Sequence, residues 1–129
     1  MRYLSEEEFQ LAARFLFLSM AIVVIRQDTG HIQNGPFKIK GPYLKLLQDM
    51  EKAAVEERRR LRQEMNKQSI RVVRLNRNDS FSTFLFISGG HEEKRNYFNP
   101  AIRMKVEAIV QELMAAALQP DQPHASANT

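Results

Sequence analysis

Residues 11–25, LAARFLFLSMAIVVI, form a run in which only Arg14 and Ser19 interrupt apolar or small side chains. A helix built from such a run is greasy on nearly every side, so it has to be surrounded by the rest of the chain, a second copy, a partner protein or a bilayer. The flanks narrow that choice. Ser5, Glu6, Glu7 and Glu8 precede the run and Arg26, Gln27 and Asp28 follow it, whereas a secretory signal opens on basic residues and closes on small ones. The run of 15 residues also falls short of the roughly 20 that span a bilayer, and Arg14 would sit within hydrocarbon. A buried core helix, with no membrane partner, is the expectation.

Local signals agree. Ser5 and Glu8 form a capping box, so helix 1 is predicted to start at Glu6 with three acids at its positive end. Phe9, Ala13, Leu16, Met20 and Val23 follow helical spacing on one side while Phe15, Leu18, Ile22 and Ile25 fill the other, which predicts burial on both sides of the second half. Two further amphipathic helices and a small sheet do not comfortably cover so much apolar surface. A homodimer is therefore expected, with helix 1 or the distal half of helix 2 at the interface.

Asp28 to Pro42 carries Asp-Thr-Gly, Asn-Gly-Pro and Gly-Pro punctuation and reads as a loop. Pro42 suits the first turn of a second helix running to Lys67. Its length of about 39 Å rivals the diameter, about 36 Å, of a compact domain this size. The stretch from Glu56 to Asn66 offers only Leu61 and Met65 as large apolar groups, so that half is predicted to project or lie on a surface. Ser69–Arg77 and Phe81–Ser88 are rich in β-branched and aromatic residues around an Asn-Arg-Asn-Asp-Ser turn and predict a hairpin; Lys94–Phe98 extends it to a third strand. Asn99-Pro100 opens a last helix with Ile102, Val106, Ile109, Leu113 and Ala117 on one face. The fold class is α+β: a buried N-terminal helix, a long second helix, a small antiparallel hairpin or three-stranded meander and a C-terminal amphipathic helix. Residues 1–118 form a single domain and 119–129 a disordered tail.

Charge is distributed unevenly. The net formal charge is −1 over residues 1–37, +7 over 38–77 and −2 over 78–129. The positive field lies in Arg58, Arg59, Arg60 and Arg62, followed by Lys67, Arg71, Arg74 and Arg77. Guanidinium forks match phosphate oxygens, so Arg59, Arg60, Arg62, Lys67, Arg71, Arg74 and Arg77 are the candidate nucleic-acid-binding residues, for DNA or RNA. Counted by twos along the strand, Arg71 and Arg77 share one face and Arg74 takes the other, and Asn76 and Asn78 add base-edge donors and acceptors. Helical pairs among Glu56, Arg60 and Glu64 compete for part of this charge.

Cysteine is absent, and no P-loop, G-x-G-x-x-G or G-x-S-x-G motif occurs. His91, Glu92 and Glu93 are the one place where a histidine meets carboxylates, without the spacing of a metal or acid–base site. No catalytic residue, metal or cofactor is assigned. The favoured reading is a small cytoplasmic, non-enzymatic regulator that binds nucleic acid as a homodimer. The alternative is a protein-interaction adaptor whose long charged helix binds a partner protein.

Overall fold

The computed structural model describes residues 3–119; the expected tail beyond Gln119 lies outside the described residues. In chain order it contains α1 (Glu6–Asn34), α2 (Gly41–Lys67), β1 (Ile70–Arg77), β2 (Phe81–Ser88), β3 (His91–Phe98) and α3 (Asn99–Leu118). The arrangement is α+β: an antiparallel meander in the order β1-β2-β3 packs one face on a layer of three helices.

The capping box forms as the sequence predicts. Ser5 Oγ accepts from the Glu8 amide at 3.1 Å, and the Ser5 amide donates to Glu8 Oε1 at 2.8 Å. Ser88 Oγ donates to Glu8 Oε2 at 2.6 Å, which fastens the end of β2 to the start of α1. Helix 1 runs further than expected. Residues 28–34 continue it instead of opening a loop, with Thr29 Oγ1 donating back to the Ile25 carbonyl and Asn34 Nδ2 to that of Gly30. Arg26 also reaches Glu51 of α2 at 2.8 Å. The extended α1 is long and apolar enough to cross a membrane by length and composition, so the shortness of the apolar run no longer argues against spanning. Within the chain, Ala12, Leu18 and Ala21 of this helix are fully buried among the other elements.

Gly30 then sits inside a helix with nothing within 4 Å of a Cβ placed on it. Gly30→Ala is expected to stabilise the fold by about 0.5–1 kcal/mol, read as a higher urea midpoint. A loop at this position would give no such gain.

Helix 2 takes the second of its two expected arrangements, lying on a surface instead of projecting. Its arginine-rich distal half lies against α1 and β1, with Ala54 and Met65 buried, Leu61 packed on the core and Arg58 stacked on Phe15 of α1. The aliphatic stems and flat guanidinium faces supply contact area that a count of apolar letters leaves out. At the other end of α2 the exposed Phe37, Ile39 and Tyr43 surround the connection between α1 and α2. Burial on both sides of α1 stops short of Val23, which is 52% exposed.

The sheet is pinned by its turns. Gly89 and Gly90, at φ 53° and 88°, form the two-residue connection between the paired Ser88 and His91, a geometry that glycine adopts without steric penalty. Phe84 and Phe86 of the central strand face the helices, and Phe86 stacks on Phe9 of α1 at 4.9 Å. The opposite face does not alternate to polar. It presents Phe81, Thr83, Leu85 and Ile87 from β2 alone, although a sheet with one wet face ordinarily turns polar residues outward.

Candidate nucleic-acid interface

Between Arg74 and Asn76 the β1–β2 register shifts: Arg74 pairs with Phe84, Asn76 with Thr83 and Arg77 with Ser82. Leu75 is the additional residue of a β-bulge, so counting by twos fails beyond it. Arg74 and Arg77 therefore share the helix-facing side, opposite Phe84 and Ser82, and Arg71, opposite Ile87, takes the outer side. This corrects the expected pairing of Arg71 with Arg77.

The two strand arginines meet Arg103 of α3 around a cavity of about 520 Å³, completed by Met20, Asp79, Ser82, Asn99, Pro100 and Ile102. Asn99 fixes its floor. The Asn99 amide donates to the Ser80 carbonyl at 2.7 Å, and its Nδ2 donates to the carbonyls of Asn78 and Asp79 at 2.9 and 3.2 Å. Its Oδ1 accepts from the buried Ser82 hydroxyl at 2.7 Å. Asn99 is thus the first residue of α3 and a strut for the β1–β2 turn, while Phe98 occupies the N-cap position. Asn78 is absorbed by the same turn, its Oδ1 accepting from the amides of Ser80 and Phe81 at 2.8 Å, and Asn76 Oδ1 accepts from the Arg77 amide at 2.7 Å. Both side-chain oxygens thus take part in the turn.

Among the described residues, Arg74, Arg77 and Arg103 take part in no ion pair. Arg74 lies 5.9 Å from the Phe84 ring, a contact that orients the guanidinium and leaves its charge intact. Asp79 is the single carboxylate lining the cavity, so the cavity carries a net positive charge. Three forked donors around a space of this size suit the oxygens of a phosphate group.

The other candidates are dispersed. Arg62 and Arg71 line a second, smaller cavity of about 240 Å³ with Phe15 and Asn66, near the other end of β1. Arg62 lies 5.0 Å from the Phe15 ring, and Arg58 stacks on the same ring at 4.6 Å. Arg58 Nε donates to Ser19 Oγ at 2.7 Å, and burial, followed by the neighbouring charges of Arg62 and Arg26, lowers its pKa. Arg59 and Arg60 are exposed on α2, and the ion pairs of the described residues do not include Glu56–Arg60 or Arg60–Glu64. Lys67 is the cation in the last turn of α2, where it complements the helix dipole.

His91, Glu92 and Glu93 are not brought together. Glu92 lies on the outer sheet face, whereas Glu93 is buried on the inner face and held by Arg95, whose guanidinium rests 4.0 Å from the Phe9 ring. Arg103 is the residue that sequence reasoning missed. A signal existed: the first turn of α3 contains no acid, and a cation near a helix N-terminus opposes the dipole unless it has something else to meet.

Residues 3–118 match the family described as YhjD protein. The chain belongs to the YhjD protein family. It is 35% identical over 107 residues to a Bacillus subtilis (strain 168) relative with the description "Uncharacterized protein YhjD", the match covering 83% of this chain and 89% of the relative. No solved structure matches it significantly. The span matched by the YhjD family runs from before α1 to the end of α3, so it takes in every residue lining the arginine cavity.

Proposed function

We propose that this chain is a small, cytoplasmic, non-enzymatic regulatory protein that binds nucleic acid and acts as a homodimer. The observation that carries the reading is the convergence of Arg74, Arg77 and Arg103, without ion-pair partners among the described residues, on one cavity with a hydrogen-bonded floor. A backbone phosphate seated there receives bidentate guanidinium donors, each a charge-assisted hydrogen bond. Arg59, Arg60, Arg62 and Lys67 extend the positive field and raise the encounter rate. Arg71, on the far side of the sheet, is not part of the phosphate seat. The adaptor reading is the weaker one, because it relied on a projecting distal half of α2, and that half is packed.

Fluorescence anisotropy with labelled duplex DNA and with RNA tests the proposal. Each of Arg74→Ala, Arg77→Ala and Arg103→Ala is expected to weaken binding about tenfold, as befits loss of a charge-assisted hydrogen bond. Arg59→Ala with Arg60→Ala is expected to cost less. Full binding by the Arg74/Arg77/Arg103 triple alanine variant would exclude the cavity as the site.

A further inference from the structure

The outer face of the sheet carries an apolar centre that the chain leaves uncovered: Val73 is 37% exposed and stands beside the half-buried Leu85, with Ile87 in the next row. The helices pack on the opposite face. Charges flank this centre in a definite order. Arg71, Ile87 and Glu92 form one cross-strand row, and Val73, Leu85 and Lys94 form the next. Neither Arg71 nor Glu92 takes part in an ion pair among the described residues.

We propose that a second copy of this chain covers this face, packed sheet on sheet about a two-fold axis that runs along β2. The inference rests on the homodimer in the reading above and places its interface on the sheet instead of on α1 or the distal half of α2, since most of the apolar surface of α1 is covered by the chain's own core. Rotation about the strand direction exchanges left and right but keeps the rows level, so β1 of one copy lies over β3 of the other. Each Arg71 then meets the other copy's Glu92, while Ile87 meets Ile87 and Leu85 meets Leu85. Lys94 lies over the other copy's Val73, which its aliphatic stem covers while the ammonium reaches water. A two-fold axis across the strands at their midpoint would instead set the Arg71–Glu92 row against Phe81 and Phe98, and one placed between the two rows would pair Glu92 with Lys94 but leave Arg71 over Val73. The axis along β2 is the one that gives both Arg71 and Glu92 a partner, and aligned sheets are expected to cross at about 30°. A face about 26 Å long and three strands wide lies at the low end of specific interfaces, so the dimer exchanges with monomer.

Sedimentation equilibrium of the full chain over a concentration series tests the interface. Wild type is expected to dimerise reversibly, and Arg71→Glu and Glu92→Arg are each expected to raise the dimer dissociation constant more than about tenfold by placing like charges together. Mixing the two variants is expected to restore a one-to-one dimer, because one then presents two acids and the other two bases at the same positions. Unchanged circular dichroism melts show that the single variants remain folded. A monomeric wild type at every soluble concentration, wild-type dimerisation by both single variants, or a mixture that stays monomeric would overturn the proposal. The Arg74/Arg77/Arg103 alanine variant is expected to dimerise normally, so failure of the nucleic-acid reading and failure of this interface register separately.

Discussion

Phe86→Ala is expected to cost about 3–5 kcal/mol, the range for truncating a fully buried aromatic side chain, and thus a large part of the 5–15 kcal/mol that stabilises a typical domain. Phe86 is 0% exposed at the centre of the middle strand, where its ring meets Phe9 of α1 at an interplanar angle of 55°. Phe9 in turn carries the guanidinium of Arg95, and Arg95 holds the buried Glu93. Removing the Phe86 ring therefore empties the junction between sheet and helix layer and loosens the support of a buried carboxylate. Phe86→Leu, which fills much of the space, is expected to cost distinctly less. Urea unfolding followed by circular dichroism measures both; a loss below about 1 kcal/mol for Phe86→Ala would mean that the sheet does not rest on α1 through this residue.

Arg14→Ala is the second large effect, expected at about 2–3 kcal/mol. The one charge inside the apolar run joins all three helices. Its Nε and Nη2 reach Glu57 of α2 at 2.7 and 3.1 Å, and Nη2 and Nη1 reach Glu112 of α3 at 3.2 and 3.4 Å. The hydrogen bond to Glu57, acting against burial, raises the Arg14 pKa above its ordinary value. The two carboxylates differ in worth. Glu57 is 27% exposed and Glu112 60% exposed, so water screens the second pair more strongly. A double-mutant cycle should return about 1–2 kcal/mol of coupling for Arg14 with Glu57 and less than about 1 kcal/mol for Arg14 with Glu112. Arg14→Lys is expected to recover only part of the loss, because an ammonium cannot fork to two carboxylates in the same plane. Equal coupling to both acids would contradict the burial difference.

What could be read from the letters was whatever local chemistry decides. The capping box at Ser5, the strands around Asn78 and the proline in the first turn of α3 all depend on residues within four positions of one another. Three features depended on distant partners that the letters do not show. The helix continues through Gly30 because Arg26 and its neighbours lie against α2, which outweighs a glycine penalty of about 1 kcal/mol. Arg58 and Arg62 of α2 lie against α1 because Phe15, more than 40 positions away, offers them a ring face. The bulge at Leu75 shows only as a pairing register, so the side on which Arg77 lies was invisible to a count of alternation. Arg14, which counted against a membrane segment in the sequence, became the link among the helices.

The candidate site follows the same division. Arg74 and Arg77 stood out by residue type and by the absence of nearby acids, but their union with Arg103 required the meander to bring the β1–β2 turn back to the start of α3 through Asn99. The salt dependence of nucleic-acid binding tests the central claim most directly. The affinity of wild type for duplex DNA or RNA is expected to fall linearly on a log–log plot, and the Arg74/Arg77/Arg103 alanine variant is expected to show a slope shallower by about 0.9 on DNA, or 0.7 on a single strand, for each phosphate that the protein no longer neutralises. A wild type that binds neither polymer at low salt, or a variant with unchanged affinity and slope, would contradict it.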